Sequence, residues 1–333
     1  MENSTAQPLL TVTNLKKYFR LKRPILDAIA RKPIQTLKAV DDVSFSIAKG
    51  ETLGLVGESG CGKSTLARTI MRLYDPDAGK VVLNGIEISS LKGKELREKR
   101  RSFQMVFQDP YSSLNPRMTV RDTLGEALKV HKVCPPEQRE QRILKLLEMV
   151  GMNADTADRY PGEFSGGQRQ RIGIARALAL DPAFIIADEP VSALDVSIQA
   201  QIINLLMDLQ KDLELTMLFI SHDLRVVRLI THRVAVMYLG KIIELAPTEE
   251  LYERPYHPYT EVLLKAAPVL DPTHRSQEYS IEGEPPSPIQ LPTGCRFHPR
   301  CPRATEECKK IQPDFAEVCP GHWVACHHPI QPV

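Results

Sequence analysis

The sequence predicts an α/β fold with a mixed β-sheet, an inserted helical subdomain and a small irregular region at the C-terminus. Short, almost wholly apolar runs at Thr52–Val56, Phe184–Ala187 and Met217–Ile220 are typical of strands buried on both faces. A glycine-rich segment connects the first run to a helix predicted from Ser64. Between about residues 109 and 164 the apolar residues recur at helical spacing, which predicts the insertion.

The N-terminal part of the chain is predicted to supply further strands. Leu9–Leu15 and Val43–Ile47 alternate between apolar and polar residues, as half-buried strands do. Val81–Leu83 alternates in the same way and stops at the hairpin turn Asn84-Gly85. A basic segment at residues 20–35 separates the first two strands. It is interpreted as a solvated insertion, with contact to lipid headgroups or to a membrane partner as the alternative.

The second half of the chain is predicted to alternate helices with strands and then to change character. A helix begins at Ser165, and Val234–Ile243 is expected to close the sheet as a hairpin. Near Pro268 prolines become dense and cysteines accumulate. We therefore predict an α/β domain over residues 1–268, with its helical subdomain at about 109–164, and a C-terminal region over residues 269–333.

Composition excludes several classes of protein. Apolar residues make up 42% and charged residues 25% of the 333, which is globular rather than disordered composition. The formal net charge is only +2, so no nucleic-acid partner is expected. No apolar run approaches the ~20 residues that cross a bilayer, and the N-terminus lacks the pattern of a secretory signal. We expect the chain in the cytoplasm, held at any membrane by other subunits.

Residues 57–64 fit the phosphate-binding pattern G-x-x-x-x-G-K-S. Their glycines let backbone N–H groups face phosphate oxygens, and the positive end of the following helix points to the same place. Lys63 is predicted to neutralise the outer phosphates, and Ser64 to bind Mg²⁺. The phosphate site is assigned to Gly57, Ser59, Gly60, Cys61, Gly62, Lys63, Ser64 and Thr65.

The run Phe184–Glu189 supplies an acidic counterpart to that loop. Asp188, at the end of an apolar strand, can hold Mg²⁺ through water, and Glu189 can polarise the attacking water. An acidic pair at a strand end is by itself more often a solvated turn. In one chain with the glycine-rich loop, however, it indicates nucleotide hydrolysis.

A second anion-binding pattern lies at the start of another helix, in Phe164-Ser165-Gly166-Gly167-Gln168. One γ-phosphate does not need two such sites in a single chain. Two chains arranged head to tail do need both, because each chain then completes the nucleotide site of the other.

Together these motifs resemble those of the ABC-type ATPases, a branch of the P-loop NTPases, over residues 10–245. The resemblance implies that residues 165–168 are the signature loop and that Ser192–Asp195 crosses a dimer interface. It also implies that Phe19, rather than Tyr18, stacks on adenine. The implied site comprises Glu189, His222 and Gln108 as catalytic residues, Ser64, Gln108 and Asp188 around Mg²⁺, and Phe19, Ser165, Gly166, Gly167, Gln168 and Asp195 as further ATP-binding residues.

Five of the seven cysteines fall between Cys295 and Cys326. In a reducing compartment such a cluster indicates metal binding before disulfides. The spacing leaves three interpretations open: free buried thiols, structural zinc and an iron–sulfur cluster. The lack of a close C-x-x-C pair counts against zinc, whereas the four thiolates of an iron–sulfur cluster can be widely spaced.

The tail resembles a narrower family. His257-Pro258-Tyr259-Thr260, Gly283–Pro288, Gly294–Phe297 and Arg300-Cys301-Pro302 are similar to the C-terminal region of ATPases from bacterial dipeptide and oligopeptide importers. The resemblance implies an ATP-hydrolysing, peptide-transporting translocase. Such a protein would be the dipeptide-type second of two non-identical ATPases, peripheral on the cytoplasmic face of the inner membrane. Two membrane permease subunits and, indirectly, an extracytoplasmic peptide-binding protein would be its partners.

The same resemblance implies a [4Fe–4S] cluster on Cys295, Cys301, Cys308 and Cys326, with Zn²⁺ as the alternative metal. Cys319 is then a spare thiol. Two other functions also fit the ATPase motifs. One is an ABC ATPase for another solute, such as nickel or an antimicrobial peptide, because these ATPases do not touch the cargo. The other is a soluble ABC ATPase, although this chain lacks the second ATPase module or the long coiled coil that such proteins usually carry.

Overall fold

A computed structural model describes residues 8–21, 35–266 and 286–331 of the chain. The chain divides into two compact units. The first comprises Ile47–Thr52 and Ser90–Ser221 with the described end of Met1–Leu9, and the second comprises Leu10–Ser46, Leu53–Ser89 and His222–Val333. The basic residues of the predicted insertion and the predicted boundary near Pro268 lie outside the described residues.

The strands and helices of the described residues are numbered here in chain order. The strands are β1 (Leu10–Arg20), β2 (Thr36–Ile47), β3 (Thr52–Val56), β4 (Ala78–Leu83), β5 (Ile86–Glu87), β6 (Phe103–Val106), β7 (Phe184–Asp188), β8 (Thr216–Ile220), β9 (Arg233–Tyr238), β10 (Lys241–Pro247), β11 (Ala316–Cys319) and β12 (His322–Val324). The helices are α1 (Lys63–Ile70), α2 (Gly93–Lys99), α3 (Pro110–Ser113), α4 (Val120–Val130), α5 (Arg139–Met149), α6 (Gly166–Leu178), α7 (Val196–Leu213), α8 (Leu224–Ile230), α9 (Thr248–Glu253), α10 (Pro258–Lys265) and α11 (Glu306–Lys310).

The first unit is built on a parallel sheet in which β7 pairs with β6 on one side and β8 on the other. Every residue of β7 and β8 is buried, as their apolar composition predicts. The predicted helical insertion is observed as α3, α4 and α5, where Ile143, Leu146 and Leu147 face the interior. The long helix α7 was not predicted, and neither was β6.

The second unit contains two sheets. One has the strand order β2-β1-β4-β5, and its β4–β5 turn at Asn84 and Gly85 has the two positive φ angles, 47° and 75°, of the predicted hairpin. The other runs β11-β12-β10-β9-β3. In it β3 and β9 are parallel and the remaining pairs are antiparallel, so the predicted mixed sheet is confirmed.

None of the helices in the described ranges combines the length and the apolar character that crossing a bilayer requires.

Candidate functional site

The phosphate-binding loop joins β3 to α1 in the second unit, where the sequence places it. Lys63 is buried, and its Nζ donates to the backbone oxygens of Gly57 at 2.7 Å and of Glu58 at 3.1 Å. These two hydrogen bonds connect the lysine at the end of the loop to the first two residues of the loop. Burial raises the pKa of the neighbouring Cys61 thiol, with the Lys63 charge acting in the opposite direction, so Cys61 serves as a small apolar residue under the loop.

Two glycines of this loop are required by close backbone approach. A Cβ added at Gly57, where φ is 149°, would lie 2.2 Å from the Met237 carbonyl oxygen. A Cβ added at Gly62, where φ is 112°, would lie 2.1 Å from the Ala39 carbonyl oxygen. Since carbonyl groups of β-strands cannot move away cheaply, both positions exclude any side chain.

Residues from the C-terminal part of the second unit form hydrogen bonds with the phosphate-binding loop. The Glu58 N–H donates to the Tyr259 hydroxyl at 2.9 Å. Both terminal nitrogens of Arg300 donate to the Glu58 carboxylate, at 3.0 and 3.2 Å. Arg300 also donates to the hydroxyl of Tyr238, at 3.4 Å. In the sequence, Tyr259 and Arg300 belong only to the motifs of a family resemblance, and no role at this loop is predicted for either.

We expect Arg300→Gln to weaken ATP binding about 3- to 10-fold, which corresponds to ~0.7–1.4 kcal/mol. The bidentate pair with Glu58 is charge-assisted, and its loss leaves the loop free to rotate away from the conformation that binds phosphate. Titration with a fluorescent ATP analogue measures the effect. Lys310→Gln, at an exposed tail lysine, is the matched control, and equal affinities of the two variants would contradict the assigned contact.

The acidic pair lies at the end of β7 in the first unit. Asp188 is 1% exposed, and Glu189 has a left-handed backbone with φ of 47°. Gln108 Nε2 donates to Glu189 Oε2 at 2.9 Å. The structure therefore brings together two of the three residues assigned to catalysis and orients the Glu189 carboxylate through an amide donor.

Residues 165–168, the predicted signature loop, begin α6 of the first unit with a capping box. Ser165 Oγ accepts from the Gln168 N–H at 3.3 Å, and Gln168 Oε1 accepts from the Ser165 N–H at 3.0 Å. A Cβ added at Gly167 would lie 2.4 Å from Ile198 Cγ2 in α7, and one at Gly166 would lie 3.2 Å from Leu194. The glycines thus let the Ser192–Asp195 loop pack against the signature loop.

The remaining predicted ATP-site residues lie in the second unit. His222 is exposed and follows the end of the first unit directly. Phe19 is half-buried on β1 and packs edge-to-face on Tyr74, with 5.4 Å between the ring centroids. Its neighbour Tyr18 instead donates its hydroxyl proton to Asp41.

The four cysteines predicted to bind a metal line a single cavity in the second unit, with residues of α10 and the nearby histidines. Within this group the Cys295 N–H donates to the Cys308 carbonyl oxygen at 2.8 Å. Burial raises the pKa of the Cys295 and Cys301 thiols, and raises that of Cys326 to about 11. Cys319 does not line this cavity; its thiol donates to Glu250 at 3.1 Å.

Two family models match the chain. The model of the ABC transporter family matches residues 40–192, and the model of the oligopeptide/dipeptide transporter C-terminal region matches residues 243–308. The second match covers Tyr259, Arg300 and three of the four cavity cysteines. The cysteine cavity and the tail contacts to the phosphate-binding loop therefore fall within or next to a recognised family region.

Curated relatives are similar over nearly the whole chain. The probable peptide ABC transporter ATP-binding protein y4tS of Sinorhizobium fredii is 54% identical over 319 residues, covering 96% of this chain and 89% of the relative. The oligopeptide transport ATP-binding protein AppF of Bacillus subtilis is 52% identical over 330 residues, covering 98% and 99%. Among solved structures, the dimeric ATP-binding cassette MJ0796, in a post-hydrolysis state bound to ADP and Pi, is 29% identical with a TM-score of 0.63, covering 72% of this chain and 98% of that one.

Proposed function

This chain belongs to the family of ATP-binding subunits of oligopeptide and dipeptide ABC transporters, and from that membership we propose that it hydrolyses ATP to power the import of dipeptides or oligopeptides across the bacterial inner membrane. The observation that carries the proposal is that the similarity to peptide-transport relatives extends over nearly the whole chain. Relatives named for peptide transport match 96% and 98% of the chain, including the tail. The division into an ATPase domain over residues 1–268 and a C-terminal region over 269–333 is part of the same proposal.

Phosphoryl transfer to water depends mainly on positioning and on neutralising charge. Lys63 neutralises the outer phosphates, and the glycine loop supplies backbone donors. The Ser64 hydroxyl, the Asp188 carboxylate and the Gln108 side-chain oxygen are hard oxygen ligands of the kind that Mg²⁺ prefers. When bound, Mg²⁺ stabilises the negative charge that develops on the phosphate oxygens.

Glu189 is the group that accepts the proton of the attacking water in this proposal. The Gln108 amide donates to one oxygen of the Glu189 carboxylate and so restricts the orientation of that side chain. His222 stabilises charge on the γ-phosphate. Phe19 stacks on adenine, as its half-buried ring on β1 allows.

A head-to-tail dimer with a second, non-identical ATPase completes the site. Val196, at the start of α7, is 82% exposed, and Ser165, Gln168 and Asp195 beside it are also exposed. An apolar side chain presented next to an anion-binding helix end suits a surface that a partner covers. ATP closes this surface and hydrolysis reopens it, and two permease subunits convert the movement into transport.

Affinity purification of the tagged chain from native membranes tests the transport proposal. We expect mass spectrometry to recover two multi-span membrane proteins, a second ATPase with its own phosphate-binding loop and a peptide-binding protein. Recovery of permeases for nickel or another solute would overturn the peptide assignment. Recovery of ribosomal or DNA-repair proteins without membrane subunits would overturn the transport function and leave only the ATPase.

The tail is proposed to carry a [4Fe–4S] cluster on Cys295, Cys301, Cys308 and Cys326. The donor set fits, because the four thiols line one cavity and four thiolates are the usual ligands of such clusters. The cluster would connect the chain segments that carry the four cysteines through iron–thiolate bonds. Such cross-links stabilise a small proline-rich region whose hydrophobic core is limited. Zn²⁺ on the same thiols is the alternative.

We expect Cys301→Ser to abolish the iron and acid-labile sulfide of anaerobically purified protein, together with its visible charge-transfer absorption. The ligand set is incomplete without one thiolate. Cys134→Ser, at a half-buried cysteine remote in sequence from the tail, is the control and should retain all three signals. Wild-type protein that contains equimolar zinc in place of iron, lost in Cys301→Ser, would overturn the cluster in favour of the alternative metal.

A further inference from the structure

We infer that Glu250, Cys319 and His322 form a second metal site, suited to Zn²⁺ and separate from the cavity of the four tail cysteines. Glu250 Oε1, Cys319 Sγ and His322 Nδ1 belong to a group whose ligand atoms lie within 4.8 Å of one another. Glu250 Oε1 is 3.1 Å from the Cys319 sulfur and 3.4 Å from His322 Nδ1. A tetrahedral zinc ion, with Zn–S of ~2.3 Å and Zn–N and Zn–O of ~2.1 Å, separates such atoms by roughly 3.4–3.6 Å.

Ordered elements of the second unit carry all three ligands. Cys319 and His322 pair across the turn of the β11–β12 hairpin, in which Gly321 has a φ of 79°. Glu250 lies in the first turn of α9, directly after β10. Because β12 also pairs with β10, the ligands are held by a hydrogen-bonded sheet and by the helix that leaves it.

The buried imidazole supplies the observation that points to a cation. His322 is wholly buried, and its Nε2 lies 2.8 Å from Oε1 of Glu244, a carboxylate that is also wholly buried. Glu244 accepts two further hydrogen bonds, from the backbone N–H groups of Tyr256 and His257. Nε2 therefore carries a proton that it donates to Glu244, which leaves a lone pair on Nδ1.

That lone pair is directed at an oxygen rather than at a donor. Among the described residues, Nδ1 of His322 has no hydrogen-bond partner, although Glu250 Oε1 is 3.4 Å away. A lone pair facing a carboxylate oxygen in a buried position is unfavourable unless something positive lies between them. A second proton on the ring would serve, but the thiol of Cys319 beside the same oxygen favours a metal, because it adds a third ligand of a different kind.

The donor set selects the metal. One thiolate, one imidazole and one carboxylate suit Zn²⁺, which accepts sulfur, nitrogen and oxygen ligands together. The Glu244 carboxylate behind His322 fixes the ring tautomer, as the outer partners of zinc-bound histidines do. Cys319 and Glu250 are half-exposed, so water completes the fourth position. The bound ion would fasten the β11–β12 hairpin to α9.

Metal content of the full-length chain, purified anaerobically without a histidine tag, tests the inference. Wild-type protein is expected to retain zinc equimolar with the chain after dialysis. Cys319→Ser should raise the dissociation constant for zinc at least tenfold and leave the iron content unchanged, whereas Cys301→Ser should lose iron and keep zinc. Cobalt in place of zinc gives a sulfur-to-cobalt charge-transfer band in wild type, which Cys319→Ser should remove.

The outcomes separate this site from the proposed cluster. Equal zinc content and an unchanged cobalt spectrum in wild type and Cys319→Ser would overturn the inference and leave a doubly protonated His322 as the explanation. If Cys301→Ser loses zinc and Cys319→Ser retains it, the zinc ion is assigned to the four-cysteine cavity. Should Cys319→Ser misfold, Glu250→Ala, at a half-exposed helix position, supplies the same comparison, and the wild-type cobalt band tests the thiolate ligand without any variant.

Discussion

Glu189→Gln is expected to lower the rate of ATP turnover at least ~100-fold while leaving ATP bound. The amide cannot take up the proton of the attacking water, but it still offers an oxygen to the Gln108 side chain that now donates at 2.9 Å. The loop therefore keeps its shape, and ATP stays in a dimer that cannot reopen by hydrolysis. Phosphate release under steady-state conditions measures turnover, and size-exclusion chromatography with ATP detects the retained dimer.

Glu214→Gln is a closely matched control for this variant. Glu214 also has a left-handed backbone, with φ of 49°, and it caps the end of α7 in the same unit. Its side chain is 79% exposed and lies 3.8 Å from Lys49 Nζ, so the same chemical change should leave turnover within about twofold of wild type. Turnover of Glu189→Gln at the Glu214→Gln rate would remove Glu189 from the chemistry.

Sequence reasoning succeeds where a function is encoded in a contiguous run. In the loop around Lys63 and in the strand that ends at Asp188, the residues that determine the secondary structure and the polar side chains of the predicted site are adjacent in sequence. The sequence therefore predicts the position of each segment to within a residue. Helix α1 begins at Lys63 rather than Ser64, a difference within the usual uncertainty of helix ends. The turn at Asn84 and Gly85 was predictable for the same reason, since two adjacent residues determine its geometry.

Sequence reasoning fails where the partners are far apart in the chain. Arg300 and Glu58 are separated by 242 positions, and no periodicity connects them. Cys319 is predicted to be a spare thiol because the family resemblance assigns the cluster to four other cysteines, whereas its contact with Glu250 depends on the pairing of β12 with β10. Helix α7 was missed although Ile202, Leu206 and Leu209 mark its buried side at helical spacing.

Two arginines that lie between Cys295 and Cys301, the first two cysteines of the proposed cluster, connect the tail of the second unit to other residues of that unit. Arg296 follows Cys295 and donates to Asp41, whereas Arg300 precedes Cys301 and donates to Glu58 of the phosphate-binding loop. A metal on these cysteines would hold both arginines in place. Loss of iron in Cys301→Ser is therefore expected to weaken ATP binding in the same direction as Arg300→Gln.

Arg296→Ala is expected to destabilise the protein by about 3–5 kcal/mol, because it leaves a buried carboxylate without its counter-ion. Arg296 and Asp41 are 7% and 8% exposed, and Arg296 donates to both Asp41 and the Leu239 carbonyl oxygen. The hydroxyl of Tyr18 donates to the same carboxylate. Thermal or urea unfolding followed by circular dichroism measures the loss, with Lys310→Ala as the exposed control.

The pH dependence of that loss identifies its cause. Burial acts to raise the pKa of Asp41, but the hydrogen bond from Tyr18 and the charge of Arg296 outweigh it and hold the pKa below its ordinary value of 3.8. A carboxyl with a lowered pKa stabilises the fold above the pKa of the unfolded chain and loses that contribution as the pH falls through the folded value. The difference between wild type and Arg296→Ala should therefore be full at neutral pH and shrink below about pH 4. A difference that persists unchanged in acid, or an Asp41→Leu/Arg296→Met double variant no more stable than Arg296→Ala, would mean that Arg296 acts through packing rather than through its charge.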